Sequence, residues 1–148
     1  MSSARETALE ALYQKLLTLT TDGLSAVPDI RRNEESPVST KAAGFVNLQD
    51  GDPGEPEISL SPIRYRYEHI AVLTITVRGV ASADRDSQMD NILQAIGELL
   101  SDDKTLGGAV DWIEPQAPEA DVIQLDGAPG EKTCNVPILL IYETDSPI

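Results

Sequence analysis

Apolar side chains recur along this chain at two periods, and the changes of period mark its elements. Leu9, Leu12, Leu16 and Leu19 repeat at three- and four-residue spacing, the stripe of a helix lying on a core. Ser3-Ala4-Arg5-Glu6 reads as its capping box, with the Ser3 hydroxyl accepting from the Glu6 amide and the Glu6 carboxylate reaching back. Asp22-Gly23 is the predicted stop. Met89, Ile92, Leu93, Ile96, Leu99 and Leu100 form a second stripe, predicting a helix from a cap at Ser82 or Asp84 to about Leu100. Asp84, Asp86 and Asp90 fall in its first turns, where the macrodipole favours negative charge.

The remaining pattern alternates. From Pro62 to Arg78, Ile63, Tyr65, Tyr67, His69, Ala71, Leu73, Ile75 and Val77 fall on one face of an extended chain. The opposite face starts with Arg64, Arg66 and Glu68, carries Ile70 and Val72, and ends with Thr74, Thr76 and Arg78. A straight strand of that length spans about 55 Å, against roughly 38 Å for the diameter of a globule of this size. The strand must bend, break at a bulge, or project; projection would leave Tyr65 and Tyr67 needing a partner. Shorter strands are predicted over 26–32, 44–49, 109–115 and 119–126, with loops over 33–40 and 127–132. Asp50 to Pro56 holds two turn signals and reads as the exposed tip of a β-hairpin. Asn135 to Thr144 closes the pattern with Val136, Ile138, Leu140 and Tyr142 on one face, and Leu139 and Ile141 on the other. A strand apolar on both sides belongs in a sheet centre or under a subunit contact.

Helix, three strands, helix and two or three strands, joined by hairpin-length connections, predict an α+β fold. It is a two-layer sandwich: a mainly antiparallel sheet with both helices packed on one face. The other sheet face is then bare unless another chain covers it. With 148 residues and 41% apolar composition, the chain suits one domain with a real core.

Charge alters this picture more than composition does. Eleven basic against 25 acidic residues give a net charge of −14, and the excess lies almost wholly beyond residue 49. Such a chain repels phosphate backbones and anionic lipid, which disfavours nucleic-acid binding by counterion release. The N-terminus lacks an uninterrupted signal-peptide core, and no apolar run approaches the ~18 residues needed to span a bilayer. A soluble protein that stays in the cytoplasm is expected, with no membrane partner.

Catalytic chemistry is sparse. Cys134 is the one cysteine and His69 the one histidine; a nucleophile pair would need them in contact with an orienting third group. The acids of 84–90 lack the glycine and glutamate of a calcium loop, with Met89 and Ala95 at those positions. Asp102-Asp103 could hold Mg²⁺ with a nucleotide, but no phosphate-binding glycine loop accompanies them. Gly107-Gly108 is ringed by acids and reads as a tight turn. No cofactor, metal site or catalytic residue is predicted.

In its order of elements the sequence resembles the tail terminator (tail completion) proteins of long-tailed bacteriophages, prophages and gene transfer agents. The likeness runs from the N-terminal helix and hairpin through the strand Tyr67 to Val77 and the helix near Asp84. It continues through Asp103-Lys104-Thr105-Leu106-Gly107-Gly108 to a last strand ending in Tyr142. The resemblance implies a non-enzymatic virion protein: a ring, commonly a hexamer, capping the head-proximal end of the tail tube. Such a ring stops tube polymerisation, joins the filled head, and is assembled in the bacterial cytoplasm. Its partners are then further copies of itself, the tail tube protein and a head–tail connector, with DNA passing through the lumen unbound. Head-to-tail contacts would cover the bare sheet face and the projecting strand, so Tyr65, Tyr67, Ile70, Val72, Leu139 and Ile141 are the interface candidates. Asp50, Asp52, Glu55, Glu57, Asp102, Asp103 and Asp111 are the candidates to line the lumen or face the tube. The alternatives are a neck component of the same particle, a small Cys/His acyl-transfer enzyme, and a soluble ligand-binding domain.

Overall fold

The computed structural model describes residues 2–20, 24, 27–34, 44–78, 82–121 and 131–148. The elements are α1 (Ala4–Leu16), β1 (Asp29–Arg32), β2 (Phe45–Asp52), β3 (Glu57–Ser59), β4 (Arg64–Arg78), α2 (Ser82–Ser101), β5 (Trp112–Pro115), β6 (Glu119–Asp121) and β7 (Glu131–Thr144). The strands form one sheet in the order β1-β2-β4-β7-β5, with β3 paired to β4 and β6 to β7. All pairings are antiparallel except β1 with β2, which run parallel. The α+β class and its mainly antiparallel sheet are as the pattern predicts.

The register explains the burial. Leu48, Leu73 and Val136 stand side by side across β2, β4 and β7, as do Val46, Ile75 and Cys134. All six are buried, together with Ala8, Leu9, Leu12 and Leu16 of α1 and Met89, Ile92, Ile96 and Leu100 of α2. Both helices therefore lie on the same face, each contributing the stripe its spacing encodes. Fully burying one such aliphatic side chain contributes about 1.5–3 kcal/mol, so this layer dominates stability.

Several local expectations are corrected. Ser3 caps α1, its hydroxyl accepting from the Glu6 amide at 3.2 Å. The Glu6 carboxylate does not reach back; it binds Arg32 instead. Helix α1 ends at Leu16, ahead of Asp22-Gly23, which lie outside the described residues. The strand predicted from Ala109 starts at Trp112, after a short 3-10 turn over Leu106–Gly108. Glu131 and Lys132, read as loop, open β7. The loop over 33–40 and the strand beyond Asp121 also lie mostly outside the described residues.

The largest correction concerns the hairpin. Residues 50–56 are not its tip. Strand β2 pairs with β4 from Phe45↔Thr76 to Asp52↔Ile70, and β3 continues along the same edge of β4 from Glu57↔Arg66 to Ser59↔Arg64. The turn is therefore Leu60–Ile63, and the glycine-rich stretch is an irregularity in one arm. Four residues from Gln49 to Asp52 face three from Val72 to Ile70, so one extra residue is inserted as a β-bulge. Gly51 sits there at φ 70°, and a Cβ on it would lie 1.9 Å from the Ile70 carbonyl oxygen, so only glycine fits.

Strand β4 neither breaks nor ends early. It stays paired with β7 from Tyr65↔Thr144 to Arg78↔Glu131. Along its inward face Val77, Ile75, Leu73, Ala71, His69 and Tyr67 are buried, Tyr65 is half-buried, and Ile63 beyond the strand is exposed.

Candidate interaction surface

No described helix covers the second face of the sheet, and this face divides into two halves. The half near Arg78 is polar and closes on itself. Thr74 Oγ1 donates to Asn135 Oδ1 at 3.0 Å, the Thr76 and Thr133 hydroxyls lie 3.2 Å apart, and Asn47 exchanges two hydrogen bonds with the Glu34 backbone. The half near the hairpin is apolar. Ile70 faces Leu139, Val72 faces Pro137, and Ile141 faces Trp112 on its other side, all half-buried except the exposed Trp112. Period-two alternation puts these residues opposite the core, where they stay partly exposed.

Four of the predicted interface residues, Ile70, Val72, Leu139 and Ile141, are thus brought together on one surface. Tyr67 is not part of it. Its ring is buried within its own chain, 5.6 Å from that of Tyr142, and its hydroxyl reaches the Pro147 carbonyl at 3.4 Å. The expectation that Tyr67 needs a partner from another chain is set aside, because the C-terminal residues and Tyr142 already enclose it. Tyr65 is half-buried on the same inward face.

Sequence reasoning missed two exposed apolar features. One is the hairpin tip, where Ile58, Leu60 and Ile63 are 54%, 76% and 46% exposed. Ser61-Pro62 is a turn signal there, outweighed by the Asp-Gly and Pro-Gly pairs of residues 50–56. The other is Trp112, 44% exposed yet fixed in place. Its Nε1 donates to Glu114 Oε2 at 3.0 Å, and Lys104 Nζ donates to the same oxygen at 3.0 Å while lying 5.1 Å from the centre of the indole ring. The bonds from Lys104 and Trp112 hold the Glu114 carboxyl below its usual range. An aromatic ring whose rotamer is set in advance loses little entropy on contact, as in interface hot spots.

The candidate acids are scattered in role. Asp50 does not stand free: its carboxylate accepts from Arg32 at 3.0 and 3.3 Å. Arg32 also binds Glu6 through two hydrogen bonds and Glu10 through one, clamping α1 onto β1 and β2. The Asp103 carboxylate accepts from the Gly107 amide at 3.2 Å and thereby shapes the 3-10 turn. Asp52, which accepts from the Gly54 amide, and Glu55, Glu57, Asp102 and Asp111 are exposed. Asp52 pairs with Ile70, and the Asp111 amide bonds the Ile141 carbonyl. The two acids therefore sit at the same end of the sheet, near opposite edges.

His69 and Cys134 do not meet. Both face the core, but Cys134 pairs with Ile75, six positions along β4 from His69, or about 20 Å at ~3.3 Å per residue. The Cys134 thiol is buried, which raises its pKa, so it is not poised as a thiolate. Both His69 nitrogens are engaged, with Nδ1 2.9 Å from the Tyr142 hydroxyl and Nε2 2.5 Å from the Asp50 carbonyl. The Cys/His acyl-transfer reading loses its geometry. Among the described residues no group of three His, Cys, Asp or Glu is placed to hold a metal ion, and no helix is long and apolar enough to cross a membrane.

The arrangement is that of a two-layer α+β protein with partly exposed apolar side chains on an open sheet face and exposed ones at a hairpin tip. Among solved structures, the same fold occurs in a chain from the virion of a native gene transfer agent particle. The two match with a TM-score of 0.51 at 12% identity, over 97% of this chain and 100% of that one. At that identity the likeness establishes the fold. No protein-family model matches the chain, and no curated protein does.

Proposed function

We propose that this protein is a structural component of a phage-type particle and acts as its tail terminator. In this reading its single domain forms a ring, a hexamer by resemblance, at the head-proximal end of the tail tube. The ring ends tube growth and offers the surface that the head–tail connector joins. The observation that carries the reading is the whole-length likeness in fold to a gene transfer agent virion chain. The open face supports it, since a partly exposed apolar half-face together with an exposed apolar hairpin tip suits a protein completed by its neighbours. The net charge of −14 suits a channel through which DNA must slide without adhering. Asp52, Glu55, Asp102 and Asp111, together with Glu57, whose carboxylate lies 3.8 Å from Arg66, are the exposed acids that would line that channel or face the tube.

The test is electron microscopy of particles assembled without this protein. Overlong tails are expected. Tails of normal, uniform length joined to heads would refute the role. Tails of normal length lacking only their heads would move the protein to the neck.

A further inference from the structure

We infer that the occupant of the apolar half-face is the hairpin tip of a second copy of this chain, with Ile58, Leu60 and Ile63 as the inserted side chains. This rests on the ring reading above and specifies its contact. The tip and the face are different surfaces of one molecule, and each has what the other lacks. From Ile58 to Arg64 the tip carries one charge, the positive Arg64. The apolar face is bordered by the carboxylates of Glu68, Glu114 and Glu143; Arg66 already bonds Glu68 and Lys104 already bonds Glu114, so Glu143 is the one left to an incoming Arg64. Within its own chain Arg64 makes only a long 3.7 Å pair with Glu143 between exposed side chains, which leaves it free to exchange partners at little cost.

The chemistry of the two halves of the face points the same way. The polar half satisfies its own hydrogen bonds, whereas the apolar half has the fixed Trp112 ring at its margin and stays partly exposed. A knob on one surface entering a face on another is a heterologous contact. Unless the same two copies reciprocate it, it does not close about a two-fold axis and propagates into a ring or a filament.

The experiment uses the full chain with two variants, Leu60→Glu on the tip and Leu139→Glu on the face, read by native mass spectrometry and light scattering. Circular dichroism melts confirm that both fold; each site is at least partly exposed. The wild type should assemble, and each variant alone should associate at least tenfold more weakly. An equimolar mixture should give a one-to-one dimer and nothing larger, because one intact tip then meets one intact face. Variants that assemble like the wild type would overturn the inference while leaving a ring built through other surfaces. A mixture that stays monomeric would show that tip and face do not meet. A wild type that is monomeric at every concentration would show that something other than a second copy, such as the tube protein, covers the face.

Discussion

His69 Nε2 donates to the backbone carbonyl of Asp50 at 2.5 Å, which makes the chain's one histidine the internal brace of the β-bulge. That bond puts the proton of neutral His69 on Nε2, so Nδ1 accepts from the Tyr142 hydroxyl. The bulge and the start of the hairpin arm are thus tied to β7 through one imidazole. His69→Phe keeps a flat ring, though a larger one, and leaves the Asp50 carbonyl and the Tyr142 hydroxyl without their partner. A loss of about 1–3 kcal/mol is expected, measured by chemical denaturation.

Acid should loosen the helix clamp. The hydrogen bond from Arg32 holds the Glu6 carboxyl below its ordinary value. A depressed folded pKa contributes stability above the unfolded value, near 4.5, and that contribution is lost as pH falls through the folded one. Arg32→Gln should cost about 1–2 kcal/mol at neutral pH. It should also flatten the decline below pH 4.5, since the variant has no clamp left to lose. Parallel acid unfolding curves for the two proteins would contradict this.

Alkali acts on the other side of the same network. Burial pushes the Tyr142 hydroxyl up to about 12 from 10. A raised folded pKa means that stability is intact below 10 and falls as pH rises towards 12, because the unfolded chain ionises first. The total is on the order of 2 kcal/mol. Tyr142→Phe should be less stable at neutral pH and should lose the Tyr142 share of the alkaline decline, read from melts at pH 8 to 11.

Gly51 and Gly54 provide an internal control for backbone strain. Both have φ near 70°, but a Cβ on Gly51 would strike the Ile70 carbonyl, whereas one on Gly54 would meet nothing within 4 Å. Gly54→Ala should cost about 1 kcal/mol. Gly51→Ala should cost clearly more, roughly 2–4 kcal/mol, because the β2–β4 pairing must shift. Equal losses would argue against the bulge geometry.

The buried faces were legible because burial leaves a periodic trace. The α1 stripe, the β4 alternation from Tyr67 to Val77 and the two-sided apolar character of Leu139 and Ile141 all map to their predicted faces. What could not be read depends on non-local pairing. The choice between residues 50–56 and 60–63 for the turn is set by β3 adding to the edge of β4, which no local signal encodes. The commitment of Asp50 and Glu6 to Arg32 joins residues far apart in sequence, and exposed carboxylates look alike until such partners are placed. The parallel β1–β2 pair escaped for the same reason. Tyr67 looked orphaned on an overlong strand because the C-terminal residues that cover it lie eighty positions away.

The most direct test is a cryo-EM reconstruction of an intact particle built with this protein. The chain should appear as a closed ring at the head-proximal end of the tail, each open sheet face covered by the next copy. Isolated copies, a location away from that end, or sheet faces left open to solvent would contradict the proposal.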